Sequence, residues 1–167
     1  MTALILHHYD ASPFTQKALR MLGLKGLSWH SVTTPMMPPK EELVALTGGY
    51  RGTPVLQIGA DVYIDSQLIA AELERRHPDP TFFPAGDVGL AYALVKWADA
   101  FFRVGLRMTV ALTAASWPEE FRNDRRGLFP DLDFGTAAEH LDFDASQLRA
   151  HAGFLDQQLA AAHASLA

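Results

Sequence analysis

Between Leu4 and Arg76, short apolar runs alternate with segments of helical period, and proline, glycine or a capping residue marks each change. No other feature of the chain restricts its fold so strongly. Leu4–Tyr9 is apolar and of strand length. Asp10-Ala11-Ser12-Pro13 follows, with Ser12 suited to an N-cap and Pro13 to the first helical position. Phe14, Ala18, Met21 and Leu22 share one helix face, and Gly23 and Gly26 can end that helix. Residues 27–33, carrying Trp29 and Val32, predict a second strand. Lys40–Leu46 predicts a short helix led by Glu41 and Glu42 at its electropositive end. Val55–Ile58 and Val62–Ile64 flank Gly59-Ala60-Asp61, a hairpin signal. Asp65-Ser66 then opens a helix with Ile69, Ala70 and Leu73 on its core face, which Pro78 stops. The order β-α-β-α-β-β-α, its last two strands antiparallel, calls for a mixed sheet covered by helices.

The remaining residues read as helical. A length of 167 residues suits one domain or two very small ones. The proline-rich stretch from His77 to Gly86 is the expected boundary, giving residues 1–80, a linker 81–87 and an all-α domain 88–167. Val88–Ala115 predicts one long helix with Lys96, Asp99, Arg103 and Arg107 in a single charged stripe. Its other sides are apolar, among them Leu90, Leu94, Trp97, Phe101, Val110 and Leu112, so it needs packing partners in several directions. Pro118-Glu119-Glu120-Phe121 suggests a short helix, and Thr136-x-x-Glu139 a capping box for a last helix bearing Leu141, Leu148, Leu155 and Leu159.

Composition removes several chemistries. With no cysteine, the chain has no disulfide, no thiolate-bound metal and no protein thiol for catalysis. A net charge of −5 argues against a nucleic-acid partner. Met1–Leu6 lacks the basic start and long apolar core of a signal peptide, and no uncharged stretch is long enough to span a bilayer. The expected location is the cytoplasm. His7 and His8 are strand neighbours that face opposite ways, so no metal site is expected. Gly48-Gly49-Tyr50-Arg51-Gly52 lacks the Gly-Lys-Ser/Thr ending of a phosphate loop and reads as a turn. Arg122, Arg125 and Arg126 alternate with acids as on a solvated face. Ser12 has no Gly-x-Ser-x-Gly setting and is locally a helix cap.

One combination is more specific. Ser12-Pro13-Phe14 opens a helix after a strand, Thr53-Pro54 precedes a strand, and Asp65-Ser66 opens a third helix. Two helix N-termini aimed at one region suit an anion or a thiolate. A cis Thr53–Pro54 bond would turn the Thr53 amide and carbonyl toward a peptide-like ligand. In these pieces, with Thr53-Pro54-Val55-Leu56, the Gly59-Ala60-Asp61 hairpin, Asp65-Ser66-Gln67-Leu68-Ile69 and Phe83-Pro84, residues 4–84 resemble the glutathione S-transferase family.

The resemblance implies an α/β thioredoxin-like domain followed by an all-α helical domain. It implies glutathione as substrate and conjugation of its thiolate to a small electrophile, or a non-catalytic glutathione-binding or protein-interaction module of the same fold. Thr53, before Pro54, would pair its backbone with the cysteinyl unit. Asp65 would meet the γ-glutamyl amine, and Ser66 the γ-glutamyl carboxylate. Ser12 would donate its hydroxyl to the glutathione sulfur as the catalytic residue, with Tyr9 as a second candidate hydroxyl. Where family members often carry a lysine two residues before the cis proline, this chain has Gly52, so Lys40 or Arg51 is expected at the glycyl carboxylate. The family's helical domain continues for several helices past the one at residues 136–162, so this one reads as shortened. Its uncovered long helix predicts a homodimer, unless Leu128, Phe129, Leu132 and Phe134 fold back over it.

Overall fold

The computed structural model describes residues 3–83 and 86–165, excepting the side chains of 158–165. Pro84 of the resembling segment and the side chain of Leu159 lie outside the described residues. The chain divides into two compact units, residues 1–86 and 87–167.

The first unit contains β1 (Leu4–His8), α1 (Pro13–Leu24), β2 (His30–Thr33), α2 (Glu41–Thr47), β3 (Val55–Ile58), β4 (Asp61–Ile64) and α3 (Ser66–Arg76). The strands order β2-β1-β3-β4, with β1 parallel to β2 and antiparallel to β3, and β3 antiparallel to β4. This is the thioredoxin-like arrangement. Alternation along β1 buries Leu4, Leu6 and His8 on one face. Leu6, Ala18, Leu22, Leu56, Ile69 and Leu73 form the core between that face and helices α1 and α3. Phe14 departs from the expected helix face: it is exposed, and Thr15 is buried in the row with Ala18 and Leu22. β2 starts at His30, later than expected, and Trp29 before it packs edge-on against His8.

The proline-rich segment after α3 is tied into this unit. The Lys25 ammonium donates to Glu74 and to the Pro80 carbonyl (2.6 Å) and lies 4.2 Å from the centre of the Phe82 ring. Burial opposes the charge on Glu74, yet hydrogen bonds from Lys25, Thr81 and the Phe82 amide hold its carboxyl below the ordinary value.

The second unit contains α4 (Val88–Thr113), α5 (Glu119–Leu128) and α6 (Leu141–Ser165), with 3₁₀ turns at Ala114–Ser116 and Ala137–His140. Asp87 caps α4 through the Leu90 amide (2.8 Å). Three expectations change here. The Thr136 capping box does not form: the Thr136 hydroxyl donates to Asp133, and α6 begins only at Leu141 after a tighter turn. The charged stripe of α4 is broken at Arg107, whose guanidinium turns inward to grip Asp144 with two hydrogen bonds. The arginines of α5 are not a plain solvated face, since Arg125 stacks on Phe121 and Arg126 on Phe134. The fold-back alternative holds in part: Leu132 and Phe134 pack against Val110, Ala114 and Ala137, while Leu128 stays exposed. Along α4, Trp97 and Phe101 meet His151 and Phe154 of α6. No helix among the described residues is long and apolar enough to cross a membrane.

Candidate functional site

The expected site residues converge at one end of the sheet of the first unit. His7 lies opposite Val55, so extending that antiparallel register by two places puts Thr53 across from Tyr9. Val55 lies opposite Ile64, so Pro54 and Thr53 likewise stand level with Asp65 and Ser66. Ser12 belongs to the same end, since its amide closes a turn on the Tyr9 carbonyl (3.1 Å). The connections after β1, before β3 and after β4 therefore meet.

Each position has its own local reason. Ser12 caps α1: its oxygen accepts from the Thr15 amide at 3.3 Å, and Pro13 fills the first helical position. Ser12 is only 2% exposed, but accepting with its oxygen leaves its hydroxyl proton for a further acceptor. The Thr53–Pro54 bond is cis. Asp65 has φ +77, and it is the one non-glycine residue with positive φ among the described residues. Such a backbone costs on the order of 1–3 kcal/mol and gathers at functional sites. Asp65 caps α3 by accepting from the Gln67 amide with Oδ1 (2.6 Å). Ser66, buried at the first position of α3, accepts from the Lys17 ammonium at 3.1 Å.

Two residues beside the site escaped the sequence reading. Lys17 reaches it from the second turn of α1. Tyr50 lies over Gly52: a Cβ at Gly52 would stand 2.3 Å from the Tyr50 hydroxyl, so the phenol fills the space a side chain would need. Burial, and then the negative charge of Asp65, push the Tyr50 phenol up from its ordinary value, keeping it a neutral donor. A tyrosine two residues before a glycine carries no local pattern that could have announced this.

Lys40 is buried before α2, its ammonium 5.0 Å from the centre of the Tyr9 ring. It also lines a cleft of about 450 Å³ with His7, Val32, Thr34 and Leu43, beside β1 and β2. Arg51 is half-buried between Tyr50 and Gly52. The two histidines part as expected of strand neighbours: His7 pairs with Gln57 and His8 with Ser31.

The sequence profile of the glutathione S-transferase N-terminal domain matches residues 6–81. Through its N-terminal unit, the chain belongs to the glutathione S-transferase family. A GST-like protein from Pseudomonas syringae is 39% identical with a TM-score of 0.66, the match covering 96% of this chain and 50% of that one. This chain therefore spans about half the length of that relative. A rice glutathione S-transferase solved in complex with glutathione is 25% identical at a TM-score of 0.53, with 64% of this chain and 51% of that one covered. A β-etherase from Sphingobium shares the fold at 19% identity and a TM-score of 0.66, over 96% of this chain and 74% of its own. No curated protein matches the chain.

Proposed function

We propose that this glutathione S-transferase family member binds glutathione at the sheet end formed by Ser12, Thr53, Asp65 and Ser66 and conjugates it to a small electrophile. Asp65 carries the reading: a strained backbone held at the mouth of a helix is retained where a ligand needs it. Its Oδ1 holds the Gln67 amide, and its other oxygen is offered to the γ-glutamyl amine. Ser66 and the first amides of α3 take the γ-glutamyl carboxylate, favoured by the helix dipole. Thr53 pairs its backbone with the cysteinyl unit, and Lys40 or Arg51 takes the glycyl carboxylate. The Ser12 hydroxyl donates to the sulfur and favours its thiolate. The thiol proton goes to solvent, the sulfur forms the new S–C bond, and the leaving group departs with its electron pair. Glutathione-bound relatives support the ligand. Calorimetry with glutathione, then turnover of a chloronitroaromatic probe, tests the reading, and no heat of binding overturns it.

One observation favours a second reading, a glutathione-binding module without turnover. Ser12 is nearly inaccessible and already serves as a cap. Binding without turnover would select this alternative.

Asp65→Ala is expected to weaken glutathione binding by roughly 1–3 kcal/mol, the scale for losing a hydrogen bond to a charged group. Unchanged affinity in a titration would remove Asp65 from the site. The proposal also includes pairing with a second copy. Leu90, Tyr92 and Leu94 are exposed on α4, and Phe143, Phe154 and Leu155 on α6. Light scattering at micromolar concentration is expected to give twice the chain mass of 18.3 kDa, and a stable species at 18.3 kDa would sink the dimer.

A further inference from the structure

We infer that Lys17 supplies the counter-charge for the α-carboxylate of the ligand's glutamyl residue; this rests on the glutathione reading above. Lys17 leaves α1 and delivers its ammonium to the Ser66 hydroxyl, 3.1 Å away, at the first position of α3. That is an unfavourable place for a cation, because the N-terminal end of a helix already carries partial positive charge. Among the described residues no carboxylate pairs with Lys17, and the Ser66 hydroxyl is its polar partner there. The nearest acid in sequence to Ser66 is Asp65, whose Oδ1 is turned to the Gln67 amide. The half-buried ammonium, the Ser66 hydroxyl and the first α3 amides are all donors, and nothing anionic joins them. A bound carboxylate would turn this repulsive set into three convergent charge-assisted contacts. The chemistry selects a small planar anion attached to the ligand's γ-glutamyl end, and it assigns Lys17 a part in specificity.

A merely structural tie between α1 and α3 would use the same Lys17–Ser66 bond, so the test must read the ligand's carboxylate. The full chain and its Lys17→Met and Lys17→Arg variants are titrated by calorimetry with two probes. One is glutathione. The other is γ-aminobutyryl-cysteinylglycine, which lacks only the glutamyl α-carboxylate. Lys17→Met is expected to weaken glutathione binding about 10-fold or more, the scale of one charged hydrogen bond, and Lys17→Arg to restore most of it. The parent protein alone is expected to prefer glutathione over the decarboxylated probe by a similar factor. In Lys17→Met that preference should shrink toward unity. If the parent binds glutathione and the preference survives intact in Lys17→Met, the inference is overturned while the glutathione reading stands. If the parent binds neither probe, both fall together.

Discussion

Arg107→Met is expected to destabilise the helical unit by about 3–5 kcal/mol, the cost of leaving one charge of a buried pair without its partner. Asp144 is 0% exposed, and both its oxygens accept from the Arg107 guanidinium, one of them at 2.6 Å. The guanidinium side remains partly open to water, with 33% of the Arg107 side chain exposed. Removing the arginine is therefore worse than removing the aspartate, because the charge left behind is the fully buried one. Thermal unfolding at neutral pH should show a midpoint lowered by roughly 10 °C or more. Pairing Arg107→Met with Asp144→Leu should recover much of the loss, since an apolar pair carries no desolvation cost. A single mutant as stable as the parent would show that the pair does not brace α4 against α6.

The same pair gives a pH signature of known sign. Hydrogen bonds from Arg107 hold the Asp144 carboxyl below its ordinary 3.8, although burial opposes this. A carboxyl whose folded value lies below its unfolded one adds stability above the unfolded value, and that stability is lost as the pH falls through the folded one. The parent should thus lose stability on acidification below about pH 4. In Arg107→Met, burial acts alone and raises the carboxyl value, so stability should fall as the pH rises. Melting midpoints across the acid range would read this reversal directly.

The second large effect concerns Ser12. Ser12→Ala is expected to lower kcat about 100-fold or more, the usual loss when one preorganised donor to a developing or stabilised anion is removed. Glutathione affinity should change far less, because the hydroxyl acts on the reacting sulfur. The variant also loses the cap on the Thr15 amide, a stability cost of about 1 kcal/mol. Turnover must therefore be compared at a temperature where both proteins are folded. The thiolate's ultraviolet absorbance followed against pH supplies a readout that a cap cannot move. If bound glutathione titrates at the same pH in parent and variant, Ser12 is a cap and nothing more.

What could be read from sequence was local. Ser12-Pro13, Thr53-Pro54 and Asp65-Ser66 each announce their geometry within a few neighbouring residues, because caps, prolines and turns act at that range. The apolar runs revealed the order of strands and helices for the same reason. Partners far apart in the chain stayed hidden. Lys17 looks like an ordinary helix-surface lysine until Ser66 is placed beside it, 49 residues away. Arg107 fits a solvated stripe by spacing alone, and its inward turn depends on Asp144, 37 residues later. The Thr136 capping box misled because Asp133, three residues before, competes for the same hydroxyl. Tyr50 was silent because nothing in a glycine-rich turn tells which way its aromatic ring will fall.

The clasp around Lys25 bears on where this protein could be divided. Its side chain is 0% exposed, and the Pro80 carbonyl and Phe82 ring that receive it lie beyond the last residue of α3. A fragment ending at Arg76 would contain every strand and helix of the first unit. It would also strand a buried ammonium with one partner of three. A transplantable module, whether cut by a protease or joined to another sequence by an engineer, must therefore carry residues 77–83 with it. Its edge is drawn by one cation's partners, several residues past the last turn of helix.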